Sequence, residues 1–116
     1  MSEFTKLNQT NVYLGKIVSV LGFISTVTKH ENFLLLLLKD TTGWAIIKIN
    51  KQAKSLFQQS LSLKEKWCVQ VTGLVKTTDP ALNAPPSVQV EIEAQSIGVI
   101  LSDEADYIDP NPNLRL

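Results

Sequence analysis

The pattern of hydrophobic and polar residues predicts a β-hairpin in the first half of the chain. Every position of Phe33–Leu38 is apolar, and Trp44–Ile49 is rich in β-branched and aromatic residues. The polar turn Asp40-Thr-Thr-Gly43 separates the two runs, and Asp and Gly at such a place are typical of a hairpin. A helix is the alternative for the leucine run, but Gly43 follows after a few residues, which favours a strand.

Three further segments alternate with the period of a strand, and they are Ile17–Thr26, Trp67–Lys76 and Val88–Ile100. Gly22 lies inside the first of them, which predicts a bend or bulge where a small barrel turns a corner. In the segment Trp67–Lys76, Trp67 lies on the same side as the valines, so it is predicted to be in the core. These strands can be wrapped around the hairpin.

One amphipathic helix is predicted between the third and fourth strands. Asn50 can cap its N-terminus, and residues 51–61 give about three turns. Its apolar side chains fall on one face: Ala53, Leu56, Phe57 and Leu61.

Three strands, a helix and two strands, with a glycine in the first and fourth strands, is the element order of an OB-fold. The predicted fold class is therefore mostly β with one helix: a five-stranded OB-fold Greek-key barrel. The strands alone leave SH3-like barrels open, and the helix at this place favours the OB-fold. We expect a lead-in with a short helix or turn over residues 1–15, the OB domain over 16–101 and an acidic linker over 102–116.

Length and composition are typical of a single globular domain without a membrane span or an internal disulfide. The 116 residues are enough for one domain with its own core, and the leucine run is too short to span a membrane. Cys68 is the only cysteine, so an internal disulfide is excluded and a reducing compartment fits. No secretory signal is visible. The expected location is intracellular, in the cytoplasm or the mitochondrial matrix.

The charges are unevenly distributed, although they sum to zero. Residues 1–76 hold ten Lys against four acidic residues, whereas residues 77–116 hold Arg115 against seven. A basic body with an acidic tail can present a positive face to a phosphate backbone. Ordinary solvated surface charge is the alternative explanation.

Signals for catalysis are nearly absent. The single His30 and the single Cys68 have no spaced partners, so neither a metal site nor a nucleophile–base pair is predicted. Glu91 and Glu93 lie on one strand face like a carboxylate pair, but solvated strand acids are the commoner case. The chain by itself is expected to be a binding module without a cofactor.

Four segments carry a resemblance to a known family: Gly22-Phe-Ile24, Leu37-Leu-Lys-Asp-Thr-Thr-Gly43, Cys68-Val-Gln-Val-Thr-Gly-Leu-Val-Lys76 and Glu91-Ile-Glu93. The chain resembles the N-terminal anticodon-binding domain of class IIb aminoacyl-tRNA synthetases, among them the aspartyl enzymes of bacterial and organellar type. Leu114-Arg-Leu116 resembles the start of the catalytic domain in such enzymes.

The resemblance implies a function and partners. The barrel would grip a tRNA anticodon loop, that of tRNA-Asp, by stacking of splayed bases and hydrogen bonds to their edges. Aspartate activation with ATP and Mg²⁺ would belong to a catalytic domain that this chain lacks, in a homodimeric parent aspartate–tRNA ligase. Lys76 keeps a cation and Glu93 keeps the acid that helps to recognise an anticodon base.

Several positions depart from the family pattern. Leu35 stands where an aromatic residue normally stacks on the middle anticodon base, and Ile46 stands where a Gln normally bonds its edge. Arginines that line the RNA path are replaced by Thr26, Thr28 and Thr78. The expected RNA face of the hairpin is therefore apolar, with Lys48 beyond it. We call this surface the hairpin face, and it consists of Phe33, Leu35, Leu37, Trp44, Ile46 and Lys48.

The candidate RNA-binding residues each have a plainer explanation. Phe33 and Trp44 could restore the lost stacking, or be packed hairpin aromatics. Lys29 and His30 in the first inter-strand turn could touch phosphate or simply be solvated. Lys48, Lys51 and Lys54 form either a phosphate-binding rim or a solubilising one. An exposed apolar face also fits a polypeptide partner, so an OB-fold protein-interaction module is the alternative function.

Overall fold

The strands and helices follow the predicted order. A computed structural model describes residues 4–77 and 90–102. A 3₁₀-helix over Leu7–Tyr13 precedes β1, and one α-helix, α1, lies between β3 and β4. The elements of the barrel are β1 (Ile17–Lys29), β2 (Phe33–Lys39), β3 (Trp44–Asn50), α1 (Lys54–Ser60), β4 (Cys68–Thr77) and β5 (Val90–Leu101). Thr78 lies outside the described residues, and so does the predicted linker except for its first residue.

The five strands close into a barrel in the order β1-β2-β3-β5-β4, which confirms the OB-fold. All neighbouring strands are antiparallel except β3 and β5, which pair in parallel from Ile46 opposite Glu91 to Lys48 opposite Glu93. The first half of β1 pairs with β4 and the second half with β2, and a register shift between Ile24 and Thr26 lies near the crossover. β1 is therefore a long, bent strand that pairs with two neighbours, as closure of the barrel requires.

Two glycines lie where strands approach each other closely. A Cβ on Gly22 would lie 2.9 Å from the carbonyl oxygen of Lys39, and one on Gly73 would lie 2.8 Å from Cγ2 of Ile92. A register shift in the β4–β5 pair falls between Thr72 and Gly73. Both glycines are therefore required by space, and Gly22 is the one at which the sequence predicted a barrel corner.

The core is formed by alternate residues of the strands, as the period-two pattern predicts. On the hairpin, the buried set comprises Leu34, Leu36, Leu38, Ala45, Ile47 and Ile49. Trp67 is only 8% exposed and belongs to the core cluster, which confirms its predicted place. Leu7 of the 3₁₀-helix is also in this cluster, so the segment before β1 contributes to the core.

The helix differs from the prediction at both ends. It covers Lys54–Ser60, about two turns, and Ala53 at its N-cap makes no side-chain capping hydrogen bond. Asn50 is the last residue of β3 and donates its carboxamide hydrogen to Glu93, so the predicted cap is wrong. Leu56 and Phe57 pack against the core, whereas Leu61 is exposed.

Among the helices of residues 4–77 and 90–102, none combines the length and the apolar character needed to cross a bilayer.

Candidate nucleic-acid interface

The hairpin face lies on the outside of the barrel, opposite the core side of β2 and β3. Phe33, Leu35 and Leu37 are half-buried there, and Trp44 is 39% exposed. Ile46 is only 6% exposed, because β3 is a central strand and Ile46 lies between Leu37 on β2 and Glu91 on β5. Its side chain offers little surface to a ligand.

Two of the residues that replace family arginines lie beside this face. Thr26 pairs with Leu37, and Thr28 pairs with Leu35. Both threonines are exposed at the outer edge of the hairpin. These threonines offer hydroxyl groups and no positive charge, so any cation that contacts a phosphate at the hairpin face must come from other residues.

The turn between β1 and β2 brings three of the predicted site residues together. The rings of His30 and Phe33 stack at a centroid distance of 4.5 Å, and the Nζ of Lys48 lies 4.8 Å from the Phe33 centroid. The His30 amide donates to the Phe33 carbonyl at 2.9 Å, which closes the turn. The hairpin face therefore ends in an aromatic and cationic cluster, with Lys29 exposed next to it.

Trp44 occupies the opposite end of the hairpin face. It pairs with Lys39, whereas Phe33 pairs with Asn50. Asn50 lies six residue steps along β3 from Trp44, which corresponds to roughly 20 Å. The Nζ of Lys39 lies 6.0 Å from the Trp44 ring centroid. Trp44 and Phe33 are too far apart to hold one base between them, so each can stack only on a different nucleotide.

Glu93 and Lys76 form one polar network with a residue that the sequence did not suggest. Oε1 of Glu93 accepts from the Nζ of Lys76 at 3.2 Å, and Oε2 accepts from the side-chain amide of Asn50. Both carboxylate oxygens are thus engaged within the protein. A base edge can reach Glu93 only by sharing or replacing one of these partners, and the more exposed one is Lys76.

Glu91 is the second residue that sequence reasoning missed. It lies on the outward side of β5 but is only 2% exposed, and its Oε2 lies 3.9 Å from the Nζ of Lys48. We expected a solvated strand acid at this position. The alternation of β5 indicated its face correctly, but the parallel pairing with β3 that covers it is not visible in local sequence.

The turn that joins β2 to β3 is held by a single carboxylate. Asp40 accepts hydrogen bonds from the amides of Leu7, Thr42 and Gly43 and from the Thr42 hydroxyl. Partial burial opposes ionisation, but these hydrogen bonds outweigh it and hold the pKa of Asp40 below its usual value. Trp44 therefore follows a turn whose conformation is fixed by these hydrogen bonds.

Cys68 is buried in the described part of the chain. Burial raises the pKa of the Cys68 thiol, which disfavours the reactive thiolate. No group of three or more His, Cys, Asp or Glu side chains is placed to hold a metal ion within residues 4–77 and 90–102.

Comparison with known proteins agrees with this fold. The family model of the tRNA anticodon type, described as an OB-fold nucleic acid binding domain, matches residues 18–100. The chain belongs to this family. As an anticodon-binding OB domain it matches aspartyl-tRNA synthetases, which confirms the resemblance found in the sequence.

Two relatives illustrate the match to these enzymes. The aspartate–tRNA ligase of Lactobacillus acidophilus is 31% identical over 97 residues, which cover 83% of this chain and 16% of the relative. The aspartate–tRNA(Asp/Asn) ligase of Cereibacter sphaeroides is 30% identical over 105 residues, which cover 90% of this chain and 17% of the relative. The anticodon-binding OB domain therefore spans about a sixth of the length of these relatives.

A solved structure extends the comparison to the fold. The asparaginyl-tRNA synthetase of Pyrococcus horikoshii superposes with a TM-score of 0.75 at 23% identity, over 88% of this chain and 23% of that one. At this identity the likeness concerns the fold, and the closed barrel described above is common to both.

Proposed function

We propose that this chain is the domain with which an aspartyl-tRNA synthetase recognises the anticodon loop of tRNA-Asp. The observation that carries the proposal is the family match over residues 18–100, together with the aspartate–tRNA ligases among the relatives. Aspartate activation, ATP and Mg²⁺ belong in this proposal to a catalytic domain of a homodimeric parent enzyme. That enzyme works where tRNA is charged, in the cytoplasm or the mitochondrial matrix.

Stacking at the two ends of the hairpin face is the first part of the proposed mechanism. Splayed bases of an RNA loop stack on aromatic rings, and each stacked base contributes roughly 1–3 kcal/mol to binding. Phe33 and Trp44 are the rings that this face offers, since Leu35 occupies the position of the usual aromatic residue. Lys29, His30 and Lys48 lie at the Phe33 end, where they can bind phosphate.

Base recognition by Glu93 is the second part. Its carboxylate is held by Asn50 and Lys76, so its direction is fixed before RNA arrives. A base amino group can replace the Lys76 ammonium at Oε1, and the released ammonium can then pair with phosphate. This exchange keeps the carboxylate hydrogen-bonded throughout, which avoids the cost of an unsatisfied charge.

Tryptophan fluorescence tests the proposal directly. Titration with a tRNA-Asp anticodon stem-loop is expected to give saturable quenching that weakens at higher salt, because phosphate contacts release counterions. Trp67 is buried and Trp44 exposed, so Trp44→Phe should bind but lose the quenching, and Trp44→Ala should bind more weakly. Absence of binding by the wild type at low salt would contradict the proposal.

A protein-interaction module is the second candidate function. It is favoured by the half-buried apolar side chains of Leu35 and Leu37 on the hairpin face, which can neither stack on a base as an aromatic ring does nor hydrogen-bond to its edge. A wild-type domain that fails to bind the stem-loop, although it is folded, would favour this candidate.

A further inference from the structure

A cavity of about 540 Å³ lies at the Phe33 end of the hairpin face, between the β1–β2 turn and the segment that joins β3 to α1. We call it the β3–α1 cavity. Its wall holds one aromatic ring, three side-chain amides and three lysines. Its volume lies within the range of small-molecule sites, which is roughly 300–1,000 Å³. Phe33, Lys48, Lys51 and Lys54 of its wall were candidates for RNA contact in the sequence, whereas the three amide side chains were not.

The walls of the β3–α1 cavity are fixed by backbone hydrogen bonds. The Lys51 amide donates to the Asn32 carbonyl at 2.9 Å, which ties the two facing segments together. The Ala53 amide donates to the Asn50 carbonyl at 3.1 Å, which shapes the turn before α1. A ligand therefore meets a preformed site, and little entropy is lost in ordering the backbone.

The charge of the cavity fits a phosphate group. Lys48, Lys51 and Lys54 line it, and no acidic residue is among its described lining residues. Lys48 is already paired with Glu91. Within residues 4–77 and 90–102, neither Lys51 nor Lys54 has an ion-pair partner, and both are exposed. These two ammonium groups can therefore accept a phosphate without breaking an existing pair.

The aromatic wall fits a nucleobase. Phe33 lines the cavity, and Lys48 places its ammonium 4.8 Å from the ring centroid. The Lys48 ammonium lies over the Phe33 ring in a cation–π contact, and the His30 ring stacks on Phe33 at a centroid distance of 4.5 Å. A flat base can stack on Phe33 in the place of the Lys48 ammonium, which is carried by a flexible side chain.

The amide groups fit recognition that tolerates different bases. Asn32 and Gln52 line the cavity, and both are exposed. A carboxamide can rotate to present either its donor or its acceptor. Any of the four base edges can therefore be satisfied at this wall, so the cavity does not select one base.

We propose that the β3–α1 cavity binds one nucleotide of the RNA loop outside the bases that are discriminated, with the base on Phe33 and the phosphate on Lys51 and Lys54. The inference rests on the proposed function. It adds a site that strengthens binding to every anticodon loop equally, whereas Glu93 distinguishes between loops.

The test compares a cavity variant with a matched control. Lys51→Ala/Lys54→Ala removes the two phosphate ligands, and Lys16→Ala/Lys64→Ala removes two exposed lysines outside the cavity. Each variant is titrated with the tRNA-Asp stem-loop and with a stem-loop of changed anticodon, at several salt concentrations. Thermal unfolding of each variant confirms that it is folded.

The cavity variant is expected to bind both stem-loops about tenfold more weakly than the control variant, with the ratio between stem-loops unchanged. Its salt slope should fall in magnitude by about 0.7, because the contact with one single-strand phosphate is lost. Phe33→Leu should also bind both stem-loops about tenfold more weakly. Phe33→Tyr should retain the wild-type affinity, because a ring remains for stacking.

Failure of the inference is distinguishable from failure of the proposed function. If the wild type binds the stem-loop and the cavity variant binds as tightly as the control, only the inference is overturned. If the wild type does not bind, both are overturned. Uridine 5′-monophosphate alone should bind at least about a hundredfold more weakly than the stem-loop, since it lacks the other stacking site. Equal affinity would mean that the cavity serves a free nucleotide, and this would overturn the RNA assignment.

Discussion

At the scale of single residues, the site depends on side-chain pairs that connect distant parts of the chain. Glu93 could be singled out from the sequence through the resemblance to a family. The hydrogen bond from Asn50 to Glu93 could not be predicted, because the two residues are brought together only by the parallel pairing of β3 and β5. The buried Glu91 escaped prediction for the same reason. The local sequence pattern indicates on which side of a strand a residue lies. The residues that it contacts are determined by closure of the barrel.

Asp40→Asn should lower the free energy of unfolding by about 1–2 kcal/mol near neutral pH, because an amide oxygen replaces a carboxylate that accepts four hydrogen bonds. These hydrogen bonds hold the folded-state pKa of Asp40 below its ordinary value. Its contribution is therefore complete above the unfolded pKa and is lost as the pH falls through the folded pKa.

Urea unfolding of the wild type and Asp40→Asn across pH 2–7 checks this prediction. The difference between the two proteins should be constant above about pH 5 and shrink below about pH 4. A difference that stays constant down to pH 2 would mean that the carboxylate charge does not stabilise the turn.

Lys76→Met tests the proposed exchange at Glu93. The pair is partly exposed, so the unfolding free energy should change by less than about 1 kcal/mol. The free oxygen of Glu93 should bind a base edge more readily, which increases the ratio of affinities for the cognate and changed stem-loops. Lys16→Met is the control, and it should leave the ratio at the wild-type value. An unchanged ratio in Lys76→Met would show that Lys76 and the base do not compete.

At the scale of elements, the strands were predictable to within a few residues and the helix was not. Strand boundaries follow from the alternation of apolar and polar residues, whereas Gly22 and Gly73 inside β1 and β4 mark close approaches between strands. The start of the helix depended on Asn50, whose side chain is used by Glu93 instead of the helix. A capping residue can be recognised in a sequence only when no tertiary partner competes for it.

Gly73→Ala should destabilise the β4–β5 pair by about 2 kcal/mol, because the new methyl group would collide with the Glu93 carbonyl and with Ile92. Gly98→Ala on the same strand pair is the control, since a Cβ there meets no atom within 4 Å. Thermal unfolding of both variants provides the comparison. Equal stability of the two variants would show that the close approach at Gly73 is not required by the barrel.

At the scale of the whole molecule, the zero net charge conceals a cationic region. Lys29, Lys48, Lys51 and Lys54 all lie around the Phe33 end of the hairpin face. Glu91 and Glu93, which belong to the acidic second part of the sequence, pair there with Lys48 and Lys76. The separation of charge along the sequence was visible from composition. Its convergence on one end of the barrel required the fold.

The measurement that tests the account most directly is the ratio of dissociation constants of the wild-type domain for two anticodon stem-loops. One carries the tRNA-Asp anticodon and the other carries a changed anticodon, and both are titrated at the same salt concentration. We predict a preference of about tenfold or more for the first, which corresponds to one hydrogen bond to a charged group, and its loss in Glu93→Gln. Equal binding of both stem-loops by the wild type would contradict anticodon recognition by this domain.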